Sequence, residues 1–229
     1  MTRDEVQDGE GYDATPYVPA DAGLEALRSA AAGCRGCPLH RNATQTVFGE
    51  GDPSARVVLV GEQPGDQEDR RGHPFVGPAG GVLKRALEEA GIDPGQTYTT
   101  NAVKHFKFTF TGGGKRRIHK PPSLREVSAC KPWLAAELRI VRPEVIVALG
   151  GTAGKALLGS SFRVTKERGA LLPFPPPDDA GGPWKELLGD GEIHLLATIH
   201  PSAVLRAEDR DAMYSGLVAD LRVAADALS

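Results

Sequence analysis

The chain has 229 residues, 40% of them hydrophobic and 25% charged, with a formal net charge of −3. This is ordinary globular composition, long enough for one domain with a real core and too balanced to mark the whole chain as a nucleic-acid binder. No apolar run approaches the roughly 18 residues of a membrane span, and the acidic, polar start lacks the features of a signal peptide, so a cytoplasmic protein with no membrane partner is expected. Residues 1–20 read as a mobile acidic tail, interrupted by Pro16 and Pro19, ahead of one domain over residues 21–229. Asp21 or Ala22 opens a helix that runs to Ala32. Arg56–Val60 is a short apolar run rich in β-branched residues, a buried parallel strand that exits into the loop Gly61–Gly65. Helical spacing over Ala79–Ala90 stops at Gly91, and Thr97–Val103 is a second strand. Ser123 and Glu126 form a capping-box pattern that starts a helix to about Ile140. Glu144–Leu149 is a third strand, followed by a helix over Thr152–Leu158. Residues 159–192 are an irregular Gly- and Pro-rich excursion with a hairpin or edge strand near Gly169–Phe174. Ile193–Ile199 is a fourth strand, and Asp209–Leu228 a closing amphipathic helix. Strands alternating with helices imply an α/β fold with a mostly parallel sheet.

The charge is unevenly spread. Thr2–Asp21 holds six acids and one base, whereas Lys104–Lys120 holds six bases and no acid. Within the second segment, Gly112, Gly113 and Gly114 precede Lys115, Arg116, Arg117, Ile118, His119 and Lys120, a permissive cationic loop bearing one imidazole. Such a loop suits a polyanionic backbone, and an imidazole can serve as base, acid or nucleophile. The bland alternative is a solvated basic loop with a bystander histidine. In open parallel sheets, sites form at the carboxyl ends of strands, a rule that gathers Glu62–Asp66, Asn101, Gly150–Thr152 and His200–Ser202.

Cys34 and Cys37 form a CxxC pair, Cys130 lies on the capped helix, and His105, ending the second strand, is the best-placed fourth ligand. CxxC alone could be redox-active, metal-binding or incidental. These ligand types fit a structural Cys3His zinc site, and histidine-ligated iron–sulfur clusters are rarer.

Together, Gly61–Asp69, Pro74–Gly77, Thr100–Asn101 and His200–Ser202 resemble the successive active-site motifs of the uracil-DNA glycosylase superfamily, across about residues 22–228. Cys34, Cys37 and Cys130 resemble the cysteine pattern of its iron–sulfur branch, family 4, with His105 where that branch has a further cysteine. The run Lys115–His119 resembles the diagnostic loop of one subgroup, UdgX. The resemblance implies a three-layer α/β/α sandwich around a central four-stranded, mostly parallel sheet. It implies a structural [4Fe–4S] cluster on Cys34, Cys37, His105 and Cys130, with zinc as the alternative. The implied partner is uracil-containing DNA, preferentially single-stranded, with free uracil released by a monomeric protein. Phe75 is implied to stack on the extruded base and Asn101 to read its edge, with Gln63 in the same base site and shaping the loop against His119. His200 is implied to donate to uracil O2 as negative charge builds there. His119 is implied to bond to C1′ and remain there, with Glu62 and Asp66 stabilising the cation or orienting water or imidazole. Gly77 and Ser202 are expected at the DNA backbone, and Lys115, Arg116, Arg117 and Lys120 at its phosphates, Arg117 also bracing the loop. The alternatives are a conventional multiple-turnover glycosylase and a non-catalytic DNA-binding module.

Overall fold

The computed structural model describes residues 11–111, 116–176, 184 and 192–228. Six strands make one sheet: β1 (Glu50–Gly51), β2 (Val57–Gly61), β3 (Thr97–Asn101), β6 (Val145–Leu149), β7 (Leu171–Phe174) and β8 (Ile193–Thr198). Two more, β4 (Phe108–Thr111) and β5 (Arg116–His119), pair as a separate antiparallel hairpin. The sheet order is β1-β3-β2-β6-β8-β7. Its four inner strands are parallel and its outer two antiparallel. The four expected parallel strands are therefore the centre of a wider, mixed sheet. Both edges are blunt: β1 is two residues long and β7 carries Pro173, which cannot donate to a ladder.

β2 and β6 are buried along their whole length, which is why neither shows an apolar–polar alternation. Val58, Val60, Ile146 and Ala148 share a core with α1 (Leu24–Ala31), α4 (Leu124–Val141) and α5 (Gly151–Leu158). Val57, Leu59, Val145 and Val147 share a second core with α3 (Pro78–Ala90), α7 (Pro201–Arg206) and α8 (Arg210–Asp226). Period-2 side-chain direction thus sorts successive residues into two cores, and helices cover both faces of the sheet. None of the described helices is long and apolar enough to cross a membrane.

The predicted elements shift where local chemistry decides. α1 starts at Leu24, because Asp21 sits in the left-handed region (φ 51°) and Gly23 is the extended cap. The capping box of α4 is present in both directions: Ser123 Oγ accepts from the Glu126 amide at 3.3 Å, and Glu126 Oε2 accepts from the Ser123 amide at 2.6 Å. Such caps contribute about 1 kcal/mol. Among the described residues three short α-helices were not anticipated, α2 (Asp66–Arg71), α6 (Val164–Glu167) and α7. The basic segment is a strand where a loop was expected, since Arg116–His119 pairs with Phe108–Thr111. Residues 112–115, including the three glycines and Lys115, lie outside the described residues.

Of the expected tail, Tyr12, Ala14 and Val18 pack on the domain. Ala14 is buried and its amide donates to Ala129 O on α4 at 3.0 Å, while the Arg125 guanidinium lies 4.6 Å from the Tyr12 ring centre. Residues 1–10 lie outside the described residues. β3 also ends earlier than predicted, at Asn101, and the chain turns so that Lys104 enters the core. There it pairs with Glu137, which also accepts from Tyr98 and Thr100 and from the Gly49 amide. Lys104 donates further to Asn101 O at 2.8 Å. Losing one partner of such a buried pair costs about 3–5 kcal/mol.

Candidate functional site

A cleft of about 530 Å³ opens at the carboxyl ends of the four parallel strands. Glu62 and Gln63 enter it after β2, Asn101 from the end of β3, Gly150–Thr152 after β6, and His200 with Ser202 after β8. His119 reaches in from β5, and Phe75 forms the wall beside His200, its ring 6.0 Å away and inclined by 28°. Phe75 adopts φ 53°, unusual for an aromatic residue and costing of order 1 kcal/mol. Glycine makes room for it. A Cβ on Gly61 would lie 2.7 Å from Phe75 Cζ and 2.3 Å from Asn101 Oδ1, and one on Gly80 would collide with the Phe75 carbonyl.

His200 has a defined hydrogen-bonding state. Its Nδ1 accepts from the Ser202 amide at 3.2 Å and contacts Ser202 Oγ at 2.8 Å. A neutral ring that accepts at Nδ1 carries its proton on Nε2. Burial pulls its pKa down to about 4; Glu62 opposes this, while Arg206 and His119 add to it. Glu62 is partly buried, which alone would raise its pKa. Hydrogen bonds from His119 and Thr152 and the charges of His119 and His200 outweigh burial and hold it below the ordinary value.

Gln63 fixes its own orientation and then that of His119. Its Oε1 accepts from the Lys107 amide at 3.0 Å and its Nε2 donates to Lys120 O at 2.9 Å, so the amide cannot be flipped without losing both bonds. The same Nε2 stands 2.8 Å from His119 Nε2, which Glu62 Oε1 approaches to 3.2 Å. One ring nitrogen cannot bond both ways. Bare, it accepts from Gln63; protonated, it donates to Glu62.

Several expected site residues stand elsewhere. Asp66 does not line the cleft; its carboxylate is engaged by Arg70 at 2.9 Å and Arg117 at 2.5 Å. Arg117 keeps only 9% of its side chain exposed, and also pairs with the fully buried Asp69 at 2.5 Å. It braces the hairpin and has little surface left for a phosphate. The Gly77 amide, expected at the DNA backbone, donates to Glu68 Oε1 at 2.7 Å. Arg116 and Lys120 are exposed, and Ser202 lines the cleft. The sequence gives no role to Glu68 and Arg206 at the cleft, nor to Thr152, whose hydroxyl donates to Glu62. The strand-end rule had already pointed to Thr152, but a lone threonine announces no role.

Cys34, Cys37, Cys130 and His105 line one small buried cavity. Burial pushes the thiols of Cys37 and Cys130 up, to about 11 and about 12. Two N–H groups point at sulfur, Trp133 Nε1 to Cys34 Sγ and the Lys104 amide to Cys130 Sγ, both at 3.3 Å. The Thr46 hydroxyl donates to Ala31 O at 2.9 Å, so at its 2.9 Å contact with His105 Nε2 it must accept. His105 therefore bears its proton on Nε2, and Nδ1 keeps a lone pair. That is the arrangement of a metal-ligating histidine whose other nitrogen is held by a hydrogen bond. Burial also pulls its pKa to about 4, keeping the ring neutral. Among the described residues no three His, Cys, Asp or Glu side chains converge closely enough to hold a single ion.

Residues 48–222 match the family model for the uracil DNA glycosylase superfamily, a span that takes in every residue of the cleft. The chain is 38% identical over 174 residues to a type-4 uracil-DNA glycosylase of Thermotoga maritima, covering 76% of this chain and 78% of the relative. It is 34% identical over 183 residues to a type-4 uracil-DNA glycosylase of Pyrobaculum aerophilum, covering 80% and 85%. A type-5 uracil-DNA glycosylase of Thermus thermophilus is 34% identical over 167 residues, 68% of each chain.

Proposed function

This chain belongs to the uracil DNA glycosylase superfamily, and from that premise we propose that it excises uracil from single-stranded DNA and is left bonded through His119 to C1′ of the sugar. The proposal places it in the UdgX subgroup. Base chemistry requires the nucleotide to leave its stack and enter a pocket. The uracil lies against Phe75, and the Asn101 amide donates to O4 and accepts from N3–H. As the bond between C1′ and N1 breaks, its electron pair moves into the base, and His200 Nε2–H donates to O2. A donor aimed at developing charge lowers a barrier by a few kcal/mol. The sugar left behind is electrophilic at C1′.

His119 Nε2 then supplies its lone pair to C1′. The ring becomes cationic beside the Glu62 carboxylate, and the released uracil anion takes a proton from water. No good leaving group is then present, and turnover stops. The observation that carries this reading is the imidazole in the cleft, held by Gln63 and facing Glu62. Asp66 acts through Arg117, steadying the strand that bears His119. Arg116, Lys120 and Ser202 contact phosphates, as does Lys115. The donor set Cys34, Cys37, Cys130 and His105, which line one buried cavity, suits an iron–sulfur cluster, the group that the resemblance to the iron–sulfur branch implies, with zinc as the alternative. Such a group neutralises thiolates that burial alone would disfavour and ties together the segments bearing them.

The test is to mix the protein with a single-stranded oligonucleotide containing one deoxyuridine, then measure intact mass and free uracil. One covalent adduct per chain, lacking the base, is expected, and His119→Gln should abolish the adduct while still freeing uracil. Many uracils released per unmodified chain would establish ordinary hydrolysis. Binding with neither change would leave a DNA-binding module.

A further inference from the structure

The hairpin carries a row of rings that the reaction does not use. Phe108, Phe110, Arg117 and His119 occupy one face, because Phe108 pairs with His119 and Phe110 with Arg117. Along that row Phe106 and Phe108 stack at 5.1 Å, and the Arg117 guanidinium lies 4.9 Å from the Phe108 ring centre. Phe106 is buried and Phe108 half-buried, but Phe110 is 60% exposed. Phe108 meets it edge to face, at 5.2 Å and 87°, supporting the ring from one side. Packing accounts for the first two rings and leaves the third without a structural task.

We propose that Phe110 is a stacking platform for a base flanking the target nucleotide in unpaired DNA. Its register partner lies two residues from His119, about 7 Å along the strand, which is one or two nucleotide rises. Charge favours this occupant over an apolar partner: Arg116 and Lys120 are exposed nearby, and the sequence from Lys104 to Lys120 contains no acid. An aromatic face joined to a cationic track is how sequence-tolerant sites hold single strands. A duplex keeps the flanking base paired and stacked, so the platform favours single-stranded substrate. The inference rests on the proposed glycosylase reading for what fills the cleft.

The experiment uses the full chain and single-stranded oligonucleotides with one deoxyuridine and a 2-aminopurine one or two nucleotides to either side. On binding, fluorescence should be quenched at one of these positions. Phe110→Ala should abolish that quenching and weaken binding about tenfold, with the salt dependence unchanged, while Phe110→Trp keeps both. Unaltered quenching and affinity in Phe110→Ala would overturn the proposal, as would an equal loss in Phe110→Trp. Uracil release and adduct are read in the same samples. Their absence with quenching intact tells against the proposed function and not against the platform.

Discussion

At His200 the burial of the ring and the hydrogen bond from the Ser202 amide outweigh the opposing charge of Glu62 and keep a neutral imidazole whose free N–H faces the cleft. Its folded pKa is about 4 against an ordinary 6.5. As pH falls, the unfolded chain takes up this proton first. The group's contribution to stability is therefore complete above about pH 6.5 and is lost as pH drops through about 4. Wild-type stability, followed by denaturant midpoint, should fall more steeply across that window than stability of His200→Asn. Parallel slopes would assign the acid sensitivity to another group. Residues of this kind were legible from the sequence because their motifs are local: His200 and Ser202 are two positions apart, and Glu62 and Gln63 adjoin the strand that aims them. Gln63 was legible as shaping the loop against His119, but not the means, because its partners Lys107 and Lys120 lie on a distant segment.

The hairpin β4–β5 was hidden because its pairing is decided elsewhere in the chain. Its anchor is Arg117, which reaches Asp66 and Asp69 on α2, acids more than forty residues away in the chain. The sequence suggests that Arg117 braces the loop, but not that Asp66 and Asp69 are what it holds. Arg117→Ala strips Asp69 of its cationic partner and releases the strand carrying His119. It should lower stability by about 3 kcal/mol and cut adduct formation far more than uracil release. Arg117→Ala with Asp69→Asn should recover much of the stability without recovering the adduct. Equal losses of adduct and uracil release would mean that the hairpin shapes the base pocket as well. The central strands were legible for the opposite reason, since β2 and β6 are so thoroughly buried that their composition alone declares them.

Across the whole molecule, Cys34 and Cys37 follow α1, His105 follows β3, and Cys130 lies on α4, so one bound group would tie together segments far apart in the chain. Protein purified without oxygen should be brown, with broad absorbance near ~400 nm and about four irons per chain. Cys130→Ser should lose iron and melt at a lower temperature. Colourless protein with one zinc would return the site to the simpler metal.

The placement of His119 has one further consequence. A conventional repair enzyme is measured by its speed, because each molecule is returned to the pool. On the proposed reading, in which the imidazole and not water takes C1′, each molecule of this protein would be spent on one lesion. Capacity would then depend on how many copies the cell holds, and the protein would act as a titrant of uracil in exposed strands, leaving a bulky mark at every site it had met.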